Sequence, residues 1–268
     1  MCELFCLSGR QPTTVRFSLE AFSRRGGLAG PHKDGWGLAW YEGADVHLLK
    51  EPFPAAHSAC VRFVQDNPFV SSLVVSHIRK ATQGAVASAN CQPFTRELGG
   101  RMHVFAHNGH LDPAGVRDLM HHDSFTPVGT TDSERAFCAL LSRLRRLAPA
   151  ALPPWQERLE VFRRFAAEAR SLGPANIVYA DGDAVFLHAD RRTQADGTIA
   201  PPGLHLLERR CAAGGDGFEA EGLALQAEGE QQVVLAASVP LTAEPGWRAL
   251  PSGTIVVVRQ GEVLAEVS

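Results

Sequence analysis

The sequence opens with Met1-Cys2-Glu3-Leu4-Phe5-Cys6. A methionine followed by a small residue is the usual substrate of the co-translational aminopeptidase, so we expect the mature protein to begin at Cys2. That residue would then carry both a thiol and a free α-amine. Because the α-amine has an ordinary pKa of roughly 7.7–8.0, well below that of a lysine, a fair part of it is neutral near pH 7 and can accept a proton. The thiol has an ordinary pKa of about 8.5, and its thiolate is the reactive form. The stretch therefore indicates a nucleophile that carries its own general base.

The same stretch also has a simpler interpretation. Many proteins begin with Met-Cys by chance, and a cysteine beside Leu4 and Phe5 is typical of a buried apolar residue in a first strand. Taken alone, the opening residues favour this simpler interpretation. The rest of the chain has to decide between the two.

The composition excludes several classes of protein. The chain has 268 residues, of which 45% are hydrophobic, so it can bury a sizeable core. A formal charge of -3 leaves no basic excess, and we expect no nucleic-acid partner. No apolar run approaches the ~20 residues of a membrane span, and the N-terminus lacks the regions of a signal peptide. We therefore expect a cytoplasmic protein without a membrane partner.

The six cysteines form no Cys-x-x-Cys pair, which argues against a zinc ribbon or a redox motif. In a reducing compartment they are expected to be free thiols. Histidines at 103, 107 and 110 and the run 121–123 (His-His-Asp) suggest a metal, but their spacing matches no standard zinc signature. We expect neither a metal nor a cofactor.

Hydrophobic periodicity predicts strands at both ends of the chain with helices between them. One long helix is predicted from the capping box Thr131-x-x-Glu134 onward, and a second over about 155–172 that ends at Gly173-Pro174. Shorter helices are predicted over 17–25 and 58–66. The predicted strands lie at the opening residues and at 34–41, 46–50, 73–79, 102–107, 177–179, 185–187, 204–207, 233–237 and 255–258. This order, without a linker or repeat, predicts one layered α+β domain over residues 1–268.

Asn108-Gly109 follows the predicted strand at 102–107. An isolated Asn-Gly is most simply a type I′ hairpin turn. The alternative is an oxyanion hole, in which the side-chain amide of Asn108 and the backbone N–H of Gly109 point at a developing negative oxygen. The pair alone does not distinguish these interpretations.

Two charged residues also have two interpretations each. Arg79 ends an apolar strand, where its guanidinium could bind a carboxylate through two hydrogen bonds, or could simply leave the core for solvent. Asp132 lies inside the capping box, where it could favour the helix dipole or pair with an ammonium group.

Five motifs occur along the chain: Met1-Cys2, His-Ile-Arg-Lys-Ala-Thr-Gln-Gly at 77–84, Asn-Cys-Gln-Pro-Phe at 90–94, His107-Asn108-Gly109 and Thr131-Asp132-Ser133-Glu134. Together and in this order they resemble the class II glutamine amidotransferases of the N-terminal nucleophile hydrolase superfamily. The Cys-Glu-Leu start and the segments 30–37 and 93–98 are most similar to the stand-alone YafJ-like group. The resemblance covers nearly the whole chain and implies a four-layer αββα sandwich.

The resemblance also implies a role for each matching residue. Cys2 would attack the side-chain amide of glutamine to give a γ-glutamyl thioester and ammonia. Asn108-Gly109 would hold the oxyanion. Arg79 would bind the α-carboxylate of the substrate and Asp132 its α-ammonium, with Thr82 nearby.

Two positions depart from the family pattern. Many members have His before the proline of the 90–94 motif, where this chain has Gln92, and many have an aromatic residue where it has Lys80. Neither departure removes a catalytic group. We expect the first to alter a contact near the substrate.

The resemblance leaves the purpose of the reaction open. One hypothesis is a glutaminase subunit that supplies ammonia to a separate synthase subunit, since no part of this chain is left for a synthase domain. A second is an amidohydrolase that cuts the γ-glutamyl bond of another small molecule, as in the related ergothioneine-pathway enzyme. A third is a non-catalytic γ-glutamyl binding or regulatory protein, which would retain Met1.

Overall fold

The computed structural model describes residues 2–17, 34–80, 84–120, 124–148, 150–211, 218–220, 223–226, 230–242 and 245–268. The strands, in chain order, are β1 (Glu3–Phe17), β2 (Trp36–Glu42), β3 (Asp45–Glu51), β4 (Phe69–Ile78), β5 (Phe94–Leu98), β6 (Arg101–Gly109), β7 (Ala175–Ala180), β8 (Val185–His188), β9 (Arg192–Thr193), β10 (Ile199–Ala200), β11 (His205–Cys211), β12 (Phe218–Ala220), β13 (Leu223–Gln226), β14 (Gln231–Ala237), β15 (Arg248–Ala249), β16 (Ile255–Arg259) and β17 (Glu262–Val267). The α-helices are α1 (Ala59–Asp66), α2 (Pro113–Leu119), α3 (Asp132–Leu147) and α4 (Trp155–Leu172).

Most of these strands belong to two antiparallel sheets. The first has the order β15-β11-β14-β1-β4-β2-β3, with β13 also paired to β1 and β12 to β13. The second has the order β17-β16-β8-β7-β6-β5, and β9 and β10 form a separate hairpin. The first strand of the chain is therefore central to its sheet, with β14 on one side and β4 on the other.

Alternation along β1 shows how the layers form. Leu4 and Cys6 pack into a core shared by the two sheets, whereas Phe5 and Leu7 pack on the opposite face beneath α1. Successive side chains of a strand point to opposite faces, so one strand supplies both cores. The first sheet is thus buried on both sides.

The outer face of the second sheet is covered by α3 and α4. Phe105 of β6 stacks on Phe137 of α3 with ring centroids 5.2 Å apart, and meets Phe165 of α4 edge-on at 6.4 Å. The layer order is therefore α3 and α4, second sheet, first sheet, α1, which is the predicted αββα sandwich.

Several predicted elements are confirmed. Helix α4 spans Trp155–Leu172 as predicted, and α1 begins after Ser58, whose hydroxyl accepts the N–H of Val61. The strands β2 and β3 form the predicted hairpin, with Gly43 in its turn at φ +63°. The predicted helix over 17–25 lies outside the described residues except for Phe17, which ends β1.

The capping box is confirmed only in its first half. The Thr131 hydroxyl accepts the N–H of Glu134 at 3.2 Å. The Glu134 carboxylate, however, accepts the N–H groups of Val128 and Gly129, at 3.0 and 2.6 Å, and not that of Thr131. Because the chain folds back before the helix, Glu134 fixes the loop that precedes its own helix.

The turn interpretation of Asn108-Gly109 is wrong. Both residues belong to β6, where Asn108 pairs with Asn176 and Gly109 with Ala175 of β7. The neighbouring strand β7 supplies the pairing, so the backbone continues as a strand. The elements that were not predicted include β5, an edge strand of the second sheet, and α2, which begins with Pro113 after the cap Asp112. The short strands β9, β10, β12, β13 and β15 and the last strand, β17, were not predicted either.

Among the residues described here, no helix is both long and apolar enough to cross a membrane. Within the same residues, no group of three His, Cys, Asp or Glu side chains could hold a metal ion. The expected free thiols are confirmed for five cysteines, namely Cys2, Cys6, Cys60, Cys91 and Cys138.

Candidate active site

Cys2 lies immediately before β1 at the end of the first sheet. Because Glu3 pairs with Ile78 of β4, Cys2 is placed beside the segment that follows β4. The backbone N–H of Lys80 donates to Cys2 Sγ at 3.2 Å, and the thiol donates to the Lys80 carbonyl oxygen at 3.5 Å. Lys80 therefore contacts the thiol through its backbone. This contact does not depend on the side chain at position 80, where this chain has lysine and the family pattern often has an aromatic residue.

The surroundings of Cys2 disfavour a free thiolate. Partial burial raises the pKa of the Cys2 thiol above its ordinary value, while the Lys80 N–H and the charge of Arg79 act in the opposite direction. A thiol of raised pKa needs a nearby base to become a nucleophile. The α-amine of a processed Cys2 is such a base.

Asn108 approaches Cys2 from the second sheet. Its side-chain Nδ2 donates to the carbonyl oxygen of Cys2 at 2.6 Å and to the hydroxyl of Ser238 at 3.2 Å. The Ser238 hydroxyl also accepts the N–H of Leu4 at 3.0 Å, and the Ser238 N–H donates to the Leu4 carbonyl. These contacts join the ends of both sheets around the first residues of the chain.

Gly109 follows Asn108 at a point where only glycine fits. A Cβ atom there would lie 1.8 Å from the Pro174 carbonyl oxygen and 2.5 Å from His107 Nε2. The missing side chain allows the backbone of β6 to approach the start of β7 closely. It also leaves the backbone beside Asn108 free of any side chain.

Asn176 supports Asn108 from behind and was not identified from the sequence. This fully buried residue donates through Nδ2 to the carbonyl oxygens of Asn108 at 3.0 Å and Arg191 at 2.9 Å, and its Oδ1 accepts the N–H of Asp190 at 2.8 Å. A Cβ at Gly203 would lie 1.6 Å from that Oδ1. The available sequence signal was a polar residue near the start of an apolar strand.

Arg79 does not leave the core for solvent, as one interpretation held. Its side chain is buried, and its guanidinium donates to the carbonyl oxygens of Asp34 and Gly84, each at 3.3 Å. The Arg79 N–H also donates to the Gly35 carbonyl at 2.8 Å. The cation is therefore held between two loops, next to the Lys80 backbone that contacts Cys2.

Asp132 is buried at the start of α3 and is fixed by two backbone groups. Its Oδ2 accepts the N–H of Leu111 at 2.7 Å and its Oδ1 that of Ser133 at 2.9 Å. The Ser133 hydroxyl in turn contacts Nδ1 of His107 at 2.9 Å. The carboxylate is thus tied to the segment that leaves β6 after Gly109. Thr82 lies outside the described residues.

Gln92 binds the backbone of His107 through both ends of its amide. Its Oε1 accepts the N–H of His107 at 2.6 Å, and its Nε2 donates to the His107 carbonyl at 3.1 Å. Since Phe94 pairs with Phe105 in the β5–β6 ladder, the side chain continues this ladder toward Asn108. The expected effect of Gln92 on a substrate contact stays a prediction.

Comparisons with known proteins show which family the chain belongs to. The family model described as "Glutamine amidotransferases class-II" matches residues 1–268. YafJ of Escherichia coli (strain K12), whose name places it with the glutamine amidotransferases, is 36% identical over 257 residues, which cover 94% of this chain and 95% of that protein.

Solved structures have the same fold. A glutamine amidotransferase structure from Pseudomonas aeruginosa, assigned by prediction, aligns with a TM-score of 0.70 and 34% identity over 98% of this chain and 100% of the other. The glutamine phosphoribosylpyrophosphate amidotransferase of Bacillus subtilis aligns with a TM-score of 0.59 over 99% of this chain and 49% of the other, at 13% identity, which supports the fold alone. The chain therefore belongs to the class II glutamine amidotransferases, a family of enzymes that use glutamine.

Proposed function

We propose that this protein hydrolyses the side-chain amide of glutamine with Cys2 as an N-terminal nucleophile. The observation that supports the proposal most strongly is the contact between Asn108 and Cys2. It brings a side-chain amide donor of the second sheet to the residue that carries the thiol, and Asn108 is followed by Gly109, where only a residue without a side chain fits. An oxyanion hole needs such preorganised donors beside the nucleophile.

The first half of the proposed reaction forms a thioester. After removal of Met1, the neutral α-amine of Cys2 takes the thiol proton, and the sulfur attacks the amide carbon. The negative charge on the carbonyl oxygen is held by Asn108 Nδ2 and the Gly109 N–H. The C–N bond then breaks, and the α-ammonium returns its proton to the leaving nitrogen, which gives ammonia and a γ-glutamyl thioester.

The second half regenerates the enzyme. Water gives a proton to the α-amine and attacks the thioester carbon through the same oxyanion hole. The C–S bond breaks, the thiol recovers its proton, and glutamate leaves. Because the amine serves as base in both halves, no separate catalytic histidine or metal is required by this scheme.

The proposed substrate site recognises the amino-acid head group by charge. Arg79 binds the α-carboxylate and Asp132 the α-ammonium, and Thr82 contributes to substrate binding. The Arg79 cation is held by the segments before β2 and after β4, and the Asp132 carboxylate by the backbone after β6. A zwitterion needs one fixed cation and one fixed anion, and this arrangement can supply both.

Mass spectrometry of the intact protein tests the proposal. The protein is weighed before and after exposure to 6-diazo-5-oxo-L-norleucine, an electrophile shaped like glutamine. We expect loss of Met1 and a single adduct on Cys2. Cys2→Ala should abolish both the adduct and glutamine turnover, whereas Cys60→Ala, which removes another partly exposed free thiol, should retain both.

The other outcomes are equally informative. A processed but unlabelled Cys2 would contradict glutamine as substrate and favour another γ-glutamyl compound. Retention of Met1 would overturn the nucleophile role and favour the binding-protein hypothesis.

We further propose that residues 1–268 act as one cytoplasmic domain. The ammonia that it releases is taken up by a separate synthase subunit.

A further inference from the structure

A buried ion pair lies directly behind the nucleophile. Glu3 follows Cys2 and begins β1, and its side chain is almost fully buried. Arg192 begins β9 in the small β9–β10 hairpin and is 9% exposed. The Arg192 Nη1 lies 3.6 Å from Glu3 Oε2. No candidate role described above uses either residue.

The geometry of this pair is poor for a purely structural contact. Nε and Nη1 of Arg192 are buried and make no hydrogen bond with any described group. By contrast, Arg158 of α4 donates hydrogen bonds from its two Nη atoms to Asp181 and Asp183, although its Nε, like that of Arg192, has no partner. A buried arginine placed for stability alone usually makes such hydrogen bonds to its carboxylate partners. The Arg192 contact with Glu3 is therefore mainly one of charge.

Charge at this position acts on Cys2. The described charged side chains that act on the thiol are Glu3 and Arg79. The Glu3 carboxylate raises the pKa of the Cys2 thiol, and its charge would hold a proton on the α-amine for the same reason. Arg192 is the cation placed against that carboxylate.

The remaining charges near Arg192 do not replace it. Arg191 and Asp190 face each other at 3.9 Å, and Asp190 also binds Arg170. Burial lowers the pKa of His205 on β11, and the charge of Arg192 lowers it further, so His205 is neutral at pH 7. Arg192 is thus a described cation that lies within ion-pair distance of Glu3.

We propose that Arg192 is a positioning residue for the N-terminal nucleophile, which acts by neutralising and holding Glu3 beside Cys2. Its charge keeps the amine able to accept the thiol proton near neutral pH. The inference rests on the proposed role of Cys2 and adds to it a residue some 190 positions away that sets the working pH range of the site.

The test is the pH dependence of Cys2 in four proteins: wild type, Arg192→Met, Glu3→Gln and the double variant. Two profiles are measured for each, namely kcat/KM for glutamine and the rate of Cys2 alkylation by iodoacetamide, followed on the N-terminal peptide by mass spectrometry. A unit charge roughly 10 Å from a titrating group near a protein surface shifts the pKa of that group by roughly one unit. The alkylation rate of Cys60 in the same samples is an internal control for the reactivity of the reagent and for the integrity of the fold.

Opposite shifts are expected from the two single variants. Arg192→Met removes the positive charge that faces Glu3 and should move both midpoints up by roughly one pH unit. Glu3→Gln leaves Arg192 uncompensated and should move them down. The double variant should return close to wild type, and Arg192→Lys should stay within about 0.3 units of it, because the charge is kept.

A structural role would give a different pattern. If both single variants lower the rates without moving the midpoints, or if the double variant is worse than either, the proposal is wrong. Should Arg192→Met fail to fold, Glu3→Gln and the double variant still carry the comparison. The alkylation profile does not require glutamine, so it tests Arg192 even if glutamine proves not to be the substrate.

Discussion

The side-chain amide of Asn108 donates a 2.6 Å hydrogen bond to the carbonyl oxygen of Cys2, although 106 positions separate the two residues. Cys2 precedes the central strand of the first sheet, and Asn108 lies at the end of β6 in the second. The contact therefore exists only because the two sheets pack face to face. It also defines where the candidate active site lies.

Asn108→Ala should reduce kcat by roughly 100- to 1,000-fold with a much smaller effect on KM, because it removes one donor to the oxyanion. Steady-state glutamine hydrolysis measures both parameters. Asn67→Ala is the matched control, since the exposed Asn67 amide bonds only to the end of α1. A variant at 108 with wild-type kcat would exclude the oxyanion role.

Asp132→Asn should raise KM for glutamine by roughly 10- to 100-fold while kcat changes little, because the amide oxygen can keep one of the hydrogen bonds from Leu111 and Ser133, whereas the charge that binds an ammonium is lost. The comparison is made with Asp112→Asn, which changes a carboxylate at the N-terminus of α2. Equal KM values for the two variants would contradict the assignment of Asp132 to the substrate ammonium.

Arg79→Ala should likewise act mainly on KM for glutamine.

Arg158→Met should lower the free energy of unfolding by about 3–5 kcal/mol, because it leaves the fully buried Asp181 without its cation. Urea unfolding followed by circular dichroism measures the change. Arg163→Met removes an exposed pair with Glu160 and should change the free energy of unfolding much less than Arg158→Met does. Similar losses in both variants would mean that burial does not set the strength of the Arg158 pair.

Acid should destabilise the fold below about pH 6.5. Burial lowers the pKa of His103, His107 and His188, so the unfolded chain binds protons that the folded chain does not. The contribution of these histidines to the free energy of unfolding is fully present above their pKa of about 6.5 in the unfolded chain. It is lost as the pH falls toward their lower pKa values in the folded protein. Melting temperatures at pH 7.5, 6.5 and 5.5 should therefore decline.

The histidine explanation can be tested at one residue. His103→Gln should give a smaller fall in melting temperature with pH, whatever its effect at pH 7.5, because one titrating group is gone. His57→Gln changes an exposed histidine and should keep the wild-type pH dependence. If His103→Gln also keeps it, the acid sensitivity has another source.

Local sequence was sufficient for several elements and for the types of residue at the site. The turn at Gly43 and the helix that ends before Gly173 depend on backbone preferences that act over a few residues, and both were predicted correctly. The motifs containing Cys2 and Asn108 likewise indicated the family. These features need no information about distant parts of the chain.

Tertiary structure decided how those residues are held. Asn108-Gly109 is a strand end and not a turn because β7 pairs with it, and Asn176 of that strand binds Asn108 from 68 positions away. Glu134 accepts hydrogen bonds from the loop before its helix, and Glu3 lies beside Arg192 only because the folded chain brings them together. The sequence by itself therefore determined the chemical groups and most local elements. Their partners depend on packing, because hydrogen bonds and ion pairs between distant residues form only when the two sheets come together.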